Sequence, residues 1–136
     1  MQGTQGSTKP SVLFVCVANS YRSQMAEAIA RSLGKDGWEM WSAGSHPSGR
    51  IHPVAIQLMA EQGISMTGQR SKGLDAVPQR EWDYVVTMGC GDACPMVRAR
   101  TRLDWNVPDP VAMPIEEARR VRDQLAASVR QLIQSL

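Results

Sequence analysis

Cys16 and Arg22 are separated by five residues, and Ser23 follows the arginine directly. A thiol, a forked guanidinium and a hydroxyl spaced in this way are the parts needed to hold a tetrahedral oxyanion and attack its central atom. The amide N–H groups of Val17, Ala18, Asn19, Ser20 and Tyr21 would turn toward the anion, and Arg22 would add two charge-assisted bonds. Donors that hold a dianion also favour a thiolate. Cys16 is therefore the expected nucleophile, with Ser23 donating a hydrogen bond to its sulfur.

The bare pattern recurs from Cys94 to Arg100, followed by Thr101. Pro95 removes an amide donor there, and no helical periodicity follows Arg100. Around Cys16 the context is complete: an apolar run delivers the cysteine, a tight loop follows, and a helix begins behind it. Only the first copy counts. Chemistry on an oxyanion also needs an acid for the departing oxygen. Asp109 lies between Pro108 and Pro110, whose fixed φ limits its wandering, and is the expected acid.

The elements that must position these groups are legible in outline. Val12 to Val17 is a continuous β-rich apolar run, as in a strand buried on both faces of a parallel sheet. From Ser23 a helical spacing of Met25, Ile29 and Leu33 runs to Gly34. Trp38 to Ser42 predicts a second strand, followed by turn residues from Ala43 to Gly49. Pro53 suits the first position of a helix carrying Val54, Ala55, Leu58 and Met59 and ending at Gly63. Ser71 to Pro78 is irregular.

Tyr84 to Met88 predicts a third strand, leading into the Gly- and Cys-containing loop from Gly89 to Pro95, and a short fourth strand is expected near Leu103 to Trp105. A last helix should begin near Pro114. Its apolar residues are Ala118, Val121, Leu125, Val129, Leu132 and Leu136, opposite Glu116, Arg119, Arg120, Asp123 and Arg130. Alternating elements of these lengths predict an α/β fold with a parallel sheet, right-handed crossovers and helices on both faces.

The 136 residues, 43% apolar and 21% charged, amount to one globular domain able to bury a core without disulfides. Residues 11–136 form that domain, and residues 1–10, rich in Gly, Gln, Ser and Thr, read as a flexible tail. Fifteen basic residues against 13 acidic ones, scattered along the chain, argue against nucleic acid as a partner. No apolar run approaches the roughly 20 residues that span a bilayer. Val12 to Ala18 is at the lower length limit for a secretory segment and leads into polar Asn19-Ser20, so a cytoplasmic protein is expected. Three cysteines, an odd count, speak against a disulfide framework and for reduced thiols in use.

Val12-Leu13-Phe14-Val15-Cys16, Asn19-Ser20, Arg22-Ser23-Gln24-Met25-Ala26-Glu27, Ser42-Ala43-Gly44, Thr87 to Pro95, Asp104-Trp105, Asp109-Pro110 and Arg120-Val121-Arg122-Asp123 together resemble the thioredoxin-coupled arsenate reductases. The resemblance runs from about Ser11 to the C-terminus. It implies the low-molecular-weight tyrosine phosphatase fold, a single-domain three-layer sandwich around a four-stranded parallel sheet. It also implies that Cys16 attacks arsenate, that Arg22 and the loop amides hold the oxygens, and that Asp109 protonates the leaving oxygen. Cys90 then attacks the Cys16 sulfur, arsenite leaves with the bonding electrons, and a Cys16–Cys90 disulfide remains. Cys94 attacks that disulfide, and a Cys90–Cys94 disulfide is presented to thioredoxin. A nucleophile plus a two-thiol shuttle is three cysteines, the number present.

A monomer without a bound cofactor is expected, with phosphate or sulfate fitting the arsenate loop. Four departures bear on the site. Tyr21 stands where a small residue or a cysteine is expected, so that its ring narrows the mouth or selects substrate. Ala18 replaces the commoner glycine, which requires a negative φ there. Asn19, Glu27 and Ser42 match residues through which some relatives bind potassium, but Lys72 stands in place of an aspartate. Its ammonium substitutes for the ion, and no metal is expected. The Cys90-to-Cys94 spacing is also shorter than in some relatives.

Two other readings remain open. The Cys16, Arg22 and Asp109 set also serves a tyrosine phosphatase. However, Val111-Ala112 follow Asp109-Pro110 where those enzymes carry tyrosines, and hydrolysis has no use for Cys90 and Cys94; a weak phosphatase side activity is compatible with reduction. A zinc or redox-sensing module would use Cys90-x3-Cys94 with His46 or His52. It lacks paired third and fourth ligands, and the two histidines read as a turn residue and a helix-start residue. Trp105 is expected as a wall beside the acid loop.

Overall fold

Ser11-Val12-Leu13-Phe14-Val15-Cys16 forms strand β1 in the computed structural model, with all six residues buried. The structure describes residues 9–34, 37–89 and 97–135. Expectations for residues 1–8, Cys90, Cys94 and Leu136 fall outside these. Strands β2 (Glu39–Gly44), β3 (Trp82–Thr87) and β4 (Ala99–Asp104) complete a four-stranded sheet in the order β2-β1-β3-β4. All three pairings are parallel. β1 is central, so its residues have neighbours on both edges and both faces, which is why the run is apolar without alternation.

β2 starts one residue later than the sequence predicts and runs two further, because Ala43 and Gly44 stay in register with Val15 and Cys16. β4 is a correction. The expected segment was Leu103 to Trp105, yet the strand spans Ala99–Asp104, mostly exposed, through Arg100, Thr101 and Arg102. As an edge strand it is held by backbone pairing from Trp82–Ala99 to Thr87–Asp104, and no apolar pattern records that. Arg100, from the discarded second copy of the Cys-to-Arg pattern, lies exposed in this strand.

Three α-helices lie among the described residues: α1 (Arg22–Gly34), α2 (Pro53–Ala60) and α3 (Ile115–Gln134). In α2, Pro53 opens the helix and His52 caps it, Nδ1 accepting the Val54 N–H. The helix ends at Ala60, earlier than Gly63, because the Gln62 and Gly63 N–H groups turn back to the Met59 and Ala60 carbonyls. α3 buries Ala118, Val121, Leu125, Val129 and Leu132 as its spacing predicts. It also buries Arg122, which donates from Nη1 to the Leu58 carbonyl and to Glu61 and so ties α3 to the end of α2.

Helix residues such as Met25, Ile29, Leu58, Met59, Leu125 and Val129 pack on Val12, Phe14 and Val86, forming the larger core. Leu13, Val15, Ala43, Trp82 and Val85 face the other way, under Val77 and Leu74. Among the described residues that second face is covered by the short 3-10 helix Leu74–Ala76 and its flanks rather than by an α-helix. The C-terminal ends of the strands therefore converge on one rim, where open parallel sheets carry their ligand crevices.

Candidate active site

β1 ends on Cys16, and α1 begins at Arg22, so the intervening loop closes against the positive end of the helix dipole. Every carbonyl from Cys16 to Ser20 is drawn outward. The Cys16 carbonyl accepts from the Ser45 N–H, Val17 from His46, Ala18 from Ser48, and Ser20 from His52. The Asn19 carbonyl accepts from Gln24 Nε2, and Ala18 also from the Ser71 hydroxyl. Because N–H and C=O are antiparallel across a trans peptide, outward carbonyls leave the N–H groups of Val17 to Tyr21 directed into the loop. A loop held from outside in this way presents its N–H groups to a common centre, where they can cradle an anion.

Gly44 permits this packing, since a Cβ there would meet the Val17 carbonyl oxygen at 2.5 Å and the Asn19 nitrogen at 2.9 Å. The left-handed residue of the loop is Asn19, with φ of 47°, while Ala18 stays out of that region as its side chain requires. Asn19 is fully buried and used from both ends of its amide. Its Oδ1 accepts from the Lys72 N–H at 2.9 Å and from Gln24 Nε2 at 2.9 Å. Its Nδ2 donates to Ser23 Oγ at 2.8 Å.

Ser23 Oγ lies 2.8 Å from Cys16 Sγ. Ser23 Oγ accepts from Asn19 Nδ2, and its O–H is free to donate to a Cys16 thiolate, which has no proton of its own to give. Arg22 is mostly buried, its Nη1 donating to the Val107 carbonyl at 3.0 Å and its Nη2 3.9 Å from Asp109 Oδ2. Asp109 is exposed, and its Oδ1 accepts from the Val111 N–H at 3.1 Å. Trp105 packs against the main core, its ring 6.2 Å from that of Phe14. The fold thus gathers Cys16, the loop, Arg22, Ser23 and Asp109; Cys90 and Cys94 lie outside the described residues.

Tyr21 is buried, its ring 4.9 Å from that of His52. Burial, and then the negative charge of Asp109, holds its phenol above the ordinary tyrosine value. Beneath the loop, Ser42 Oγ donates to Glu27 Oε1 at 2.5 Å, and Lys72 Nζ stands 3.7 Å from the same oxygen. Arg31 completes the cluster at 2.6 Å from Glu27 Oε2. Burial pulls the Lys72 ammonium below its ordinary value, opposed by Glu27. The residues that match a potassium site thus already face a positive charge, and Asn19 Oδ1 is engaged with two donors.

His52 is a helix cap and His46 an exposed turn residue, as expected; among the described residues no three His, Cys, Asp or Glu side chains are grouped to hold a metal. Sequence reading missed the part played by Gln24, which bridges Asn19 to the Arg70 carbonyl, and by Gln69, which donates to Gln24 Oε1. A long amide side chain in the first turn of the helix, directly before the apolar Met25 and Ala26, was the available signal. It also missed Gly89 and Val107, which meet Arg22 only in three dimensions. No helix among the described residues is long and apolar enough to cross a membrane.

The family model of the low molecular weight phosphotyrosine protein phosphatases matches residues 11–136. A glutaredoxin arsenate reductase of Synechocystis sp. is 39% identical over 125 residues, covering 90% of this chain and 95% of its own. A solved arsenate reductase in the phosphate binding state superposes with a TM-score of 0.83 at 38% identity, over 91% of this chain and 96% of that one. The Corynebacterium glutamicum thioredoxin-dependent arsenate reductase superposes with a TM-score of 0.78 at 34% identity, over 96% of this chain and 65% of that one. With its cysteine delivered by β1, its arginine opening α1 and its acid loop after β4, this chain belongs to the low molecular weight phosphotyrosine protein phosphatase family and groups there with the arsenate reductases.

Proposed function

We propose that this protein reduces arsenate to arsenite. Arsenate enters the Cys16 loop, held by the inward amides of Val17 to Tyr21 and by Arg22. Cys16 sulfur attacks arsenic, and an oxygen leaves as water with a proton from Asp109. Cys90 thiolate then attacks the Cys16 sulfur, and the sulfur–arsenic bonding pair stays with arsenic, which becomes As(III). The two electrons come from the two thiols, now a Cys16–Cys90 disulfide. Cys94 attacks Cys90, releases the Cys16 thiolate and leaves a Cys90–Cys94 disulfide for an external dithiol.

The Cys16–Ser23 contact inside a loop of outward carbonyls supports thiolate attack on a tetrahedral oxyanion. Reduction is favoured over hydrolysis by Cys90 and Cys94 and by the relatives that are arsenate reductases. Val111, exposed after Asp109-Pro110, supplies no aromatic ring for a phosphotyrosine substrate. Thioredoxin is the proposed reductant, in line with the Corynebacterium glutamicum relative. A glutaredoxin system is the second reading, favoured by the Synechocystis relative. The protein acts as a cytoplasmic monomer without a resident metal, Lys72 supplying the positive charge beside Glu27.

The test is arsenate-dependent NADPH oxidation, coupled in parallel to thioredoxin with its reductase and to glutathione with glutaredoxin. Turnover with the first is expected. Turnover only with the second reassigns the reductant. No turnover with either, together with hydrolysis of p-nitrophenyl phosphate, makes the protein a phosphatase.

A further inference from the structure

Tyr21 brings a phenol into the anion loop and shuts it away from solvent, the residue being 4% exposed. Its ring is held in place. His52, against which it lies, donates its backbone N–H to the Ser20 carbonyl at 2.9 Å and accepts the Val54 N–H on Nδ1 at 3.1 Å. The ring cannot swing away without disturbing both the loop and the first turn of α2. Among the described residues, the Tyr21 hydroxyl is the buried side-chain polar atom without a hydrogen-bond partner. Folds rarely leave such a donor unmet, because the desolvation is not repaid.

Arg22, the next residue along the chain after Tyr21, stands 3.9 Å from Asp109, so the Asp109 loop approaches the anion loop at the end that carries Tyr21. The Asp109 charge is felt at the Tyr21 phenol. In the arrangement described, Asp109 Oδ1 is turned to the Val111 N–H, Oδ2 stands at the long distance of 3.9 Å from Arg22, and the carboxyl is exposed. Pro110, the next residue, is buried. The carboxyl therefore rests in a local turn of its own loop. The titratable group against the phenol ring is His52, from the start of α2, and Asp109, from the loop after β4, acts on it through its charge.

We propose that Tyr21 is the positioning residue for the acid: when Asp109 leaves its turn to meet a bound oxyanion, the Tyr21 hydroxyl donates to one carboxyl oxygen. The acid proton then sits on the other oxygen, facing the leaving group. As that proton is transferred, the carboxyl becomes a carboxylate and the phenol bond strengthens, so the interaction is worth more in the transition state than before it. This rests on the reading of Asp109 as the acid of an oxyanion reaction, but not on the oxyanion being arsenate.

Tyr21→Phe removes the hydroxyl and keeps the ring against His52. It is expected to lower kcat about tenfold, for arsenate and for p-nitrophenyl phosphate alike, with KM and inhibition by phosphate little changed. Combined with Asp109→Asn, it should slow the enzyme no further than Asp109→Asn alone. A readout without turnover accompanies these. The ultraviolet titration of Tyr21, obtained by difference from Tyr21→Phe, should move toward the ordinary tyrosine value in Asp109→Asn. Independent, multiplying losses in the double variant, or a Tyr21 titration indifferent to Asp109, overturns the proposal. If arsenate is not turned over but the phosphoester is, the same cycle run on the phosphoester decides the proposal separately from the arsenate reading.

Discussion

The Arg22 guanidinium lies so close to Gly89 that a Cβ on the glycine would come within 2.6 Å of Nη1. Gly89 has a φ of 76°, in the left-handed region, and directly precedes Cys90. The Arg22 guanidinium is therefore seated between the end of β3 and the Val107 carbonyl of the loop that carries Asp109.

Gly89→Ala should accordingly damage chemistry more than folding. The left-handed backbone costs about 1–2 kcal/mol with a side chain, while displacement of Arg22 should lower kcat/KM by about 10- to 100-fold. Arg22→Lys should lose about 10²- to 10³-fold, since an ammonium cannot reproduce the fork. Thermal melts read beside steady-state kinetics separate the two effects. Near-normal turnover in Arg22→Lys would count against the oxyanion loop.

Cys16→Ser should abolish both arsenate reduction and phosphoester hydrolysis. Asp109→Asn should slow formation of the Cys16 adduct by about 10²- to 10⁴-fold while leaving alkylation of Cys16 by iodoacetamide largely intact, because the acid acts on the departing oxygen. Equal loss of both would assign Asp109 a structural part instead.

The relay predicts distinct endpoints for the two outer cysteines. Cys90→Ser should allow attack by Cys16 without arsenite release through an internal disulfide, so steady reduction vanishes while phosphatase activity survives. Cys94→Ser should complete one turnover and accumulate a Cys16–Cys90 disulfide. Wild-type protein oxidised by arsenate without reductant should end with Cys90 joined to Cys94 and Cys16 free. Mass spectrometry of alkylated peptides reads each endpoint, and unchanged arsenate turnover in Cys90→Ser would sink the relay.

Lys72→Met should destabilise the fold by about 1–3 kcal/mol, because the buried Glu27 carboxylate loses one of its two cationic neighbours. Denaturant unfolding measures this. Replacing sodium by potassium at constant ionic strength should change neither the melting temperature nor the turnover of the wild type; a potassium-specific gain would show that Lys72 does not stand in for an ion.

Glu61 joins the end of α2 to α3, and hydrogen bonds from Arg119 and then Arg122 hold its carboxyl down to about 2. A carboxyl lowered on folding favours the native state above its unfolded value and loses that contribution as pH falls through the folded one. Glu61→Gln should therefore melt below the wild type at pH 7, with the difference shrinking below about pH 4.5 and lost only as the pH falls through about 2. A gap as large at pH 2 as at pH 7 would mean packing, not charge, is what the substitution disturbs.

The sequence by itself determined the strand, loop and helix around Cys16. The chemistry there is local: β1 delivers Cys16, six residues later Arg22 starts α1, and Ser23 returns to the sulfur. Apolar runs and helical spacing report burial, so β1 and α3 were readable for the same reason. β4 was not, because an edge strand of exposed Arg100, Thr101 and Arg102 is held by backbone pairing that side-chain pattern does not encode. Only the tertiary structure decided the groups that meet from distant segments: Val107 and Gly89 around Arg22, and the Tyr21 phenol buried against His52. Each of these is set by the packing of strand ends onto one rim. Spacing along the chain carries no trace of which backbone carbonyl, missing side chain or buried hydroxyl that packing will bring together.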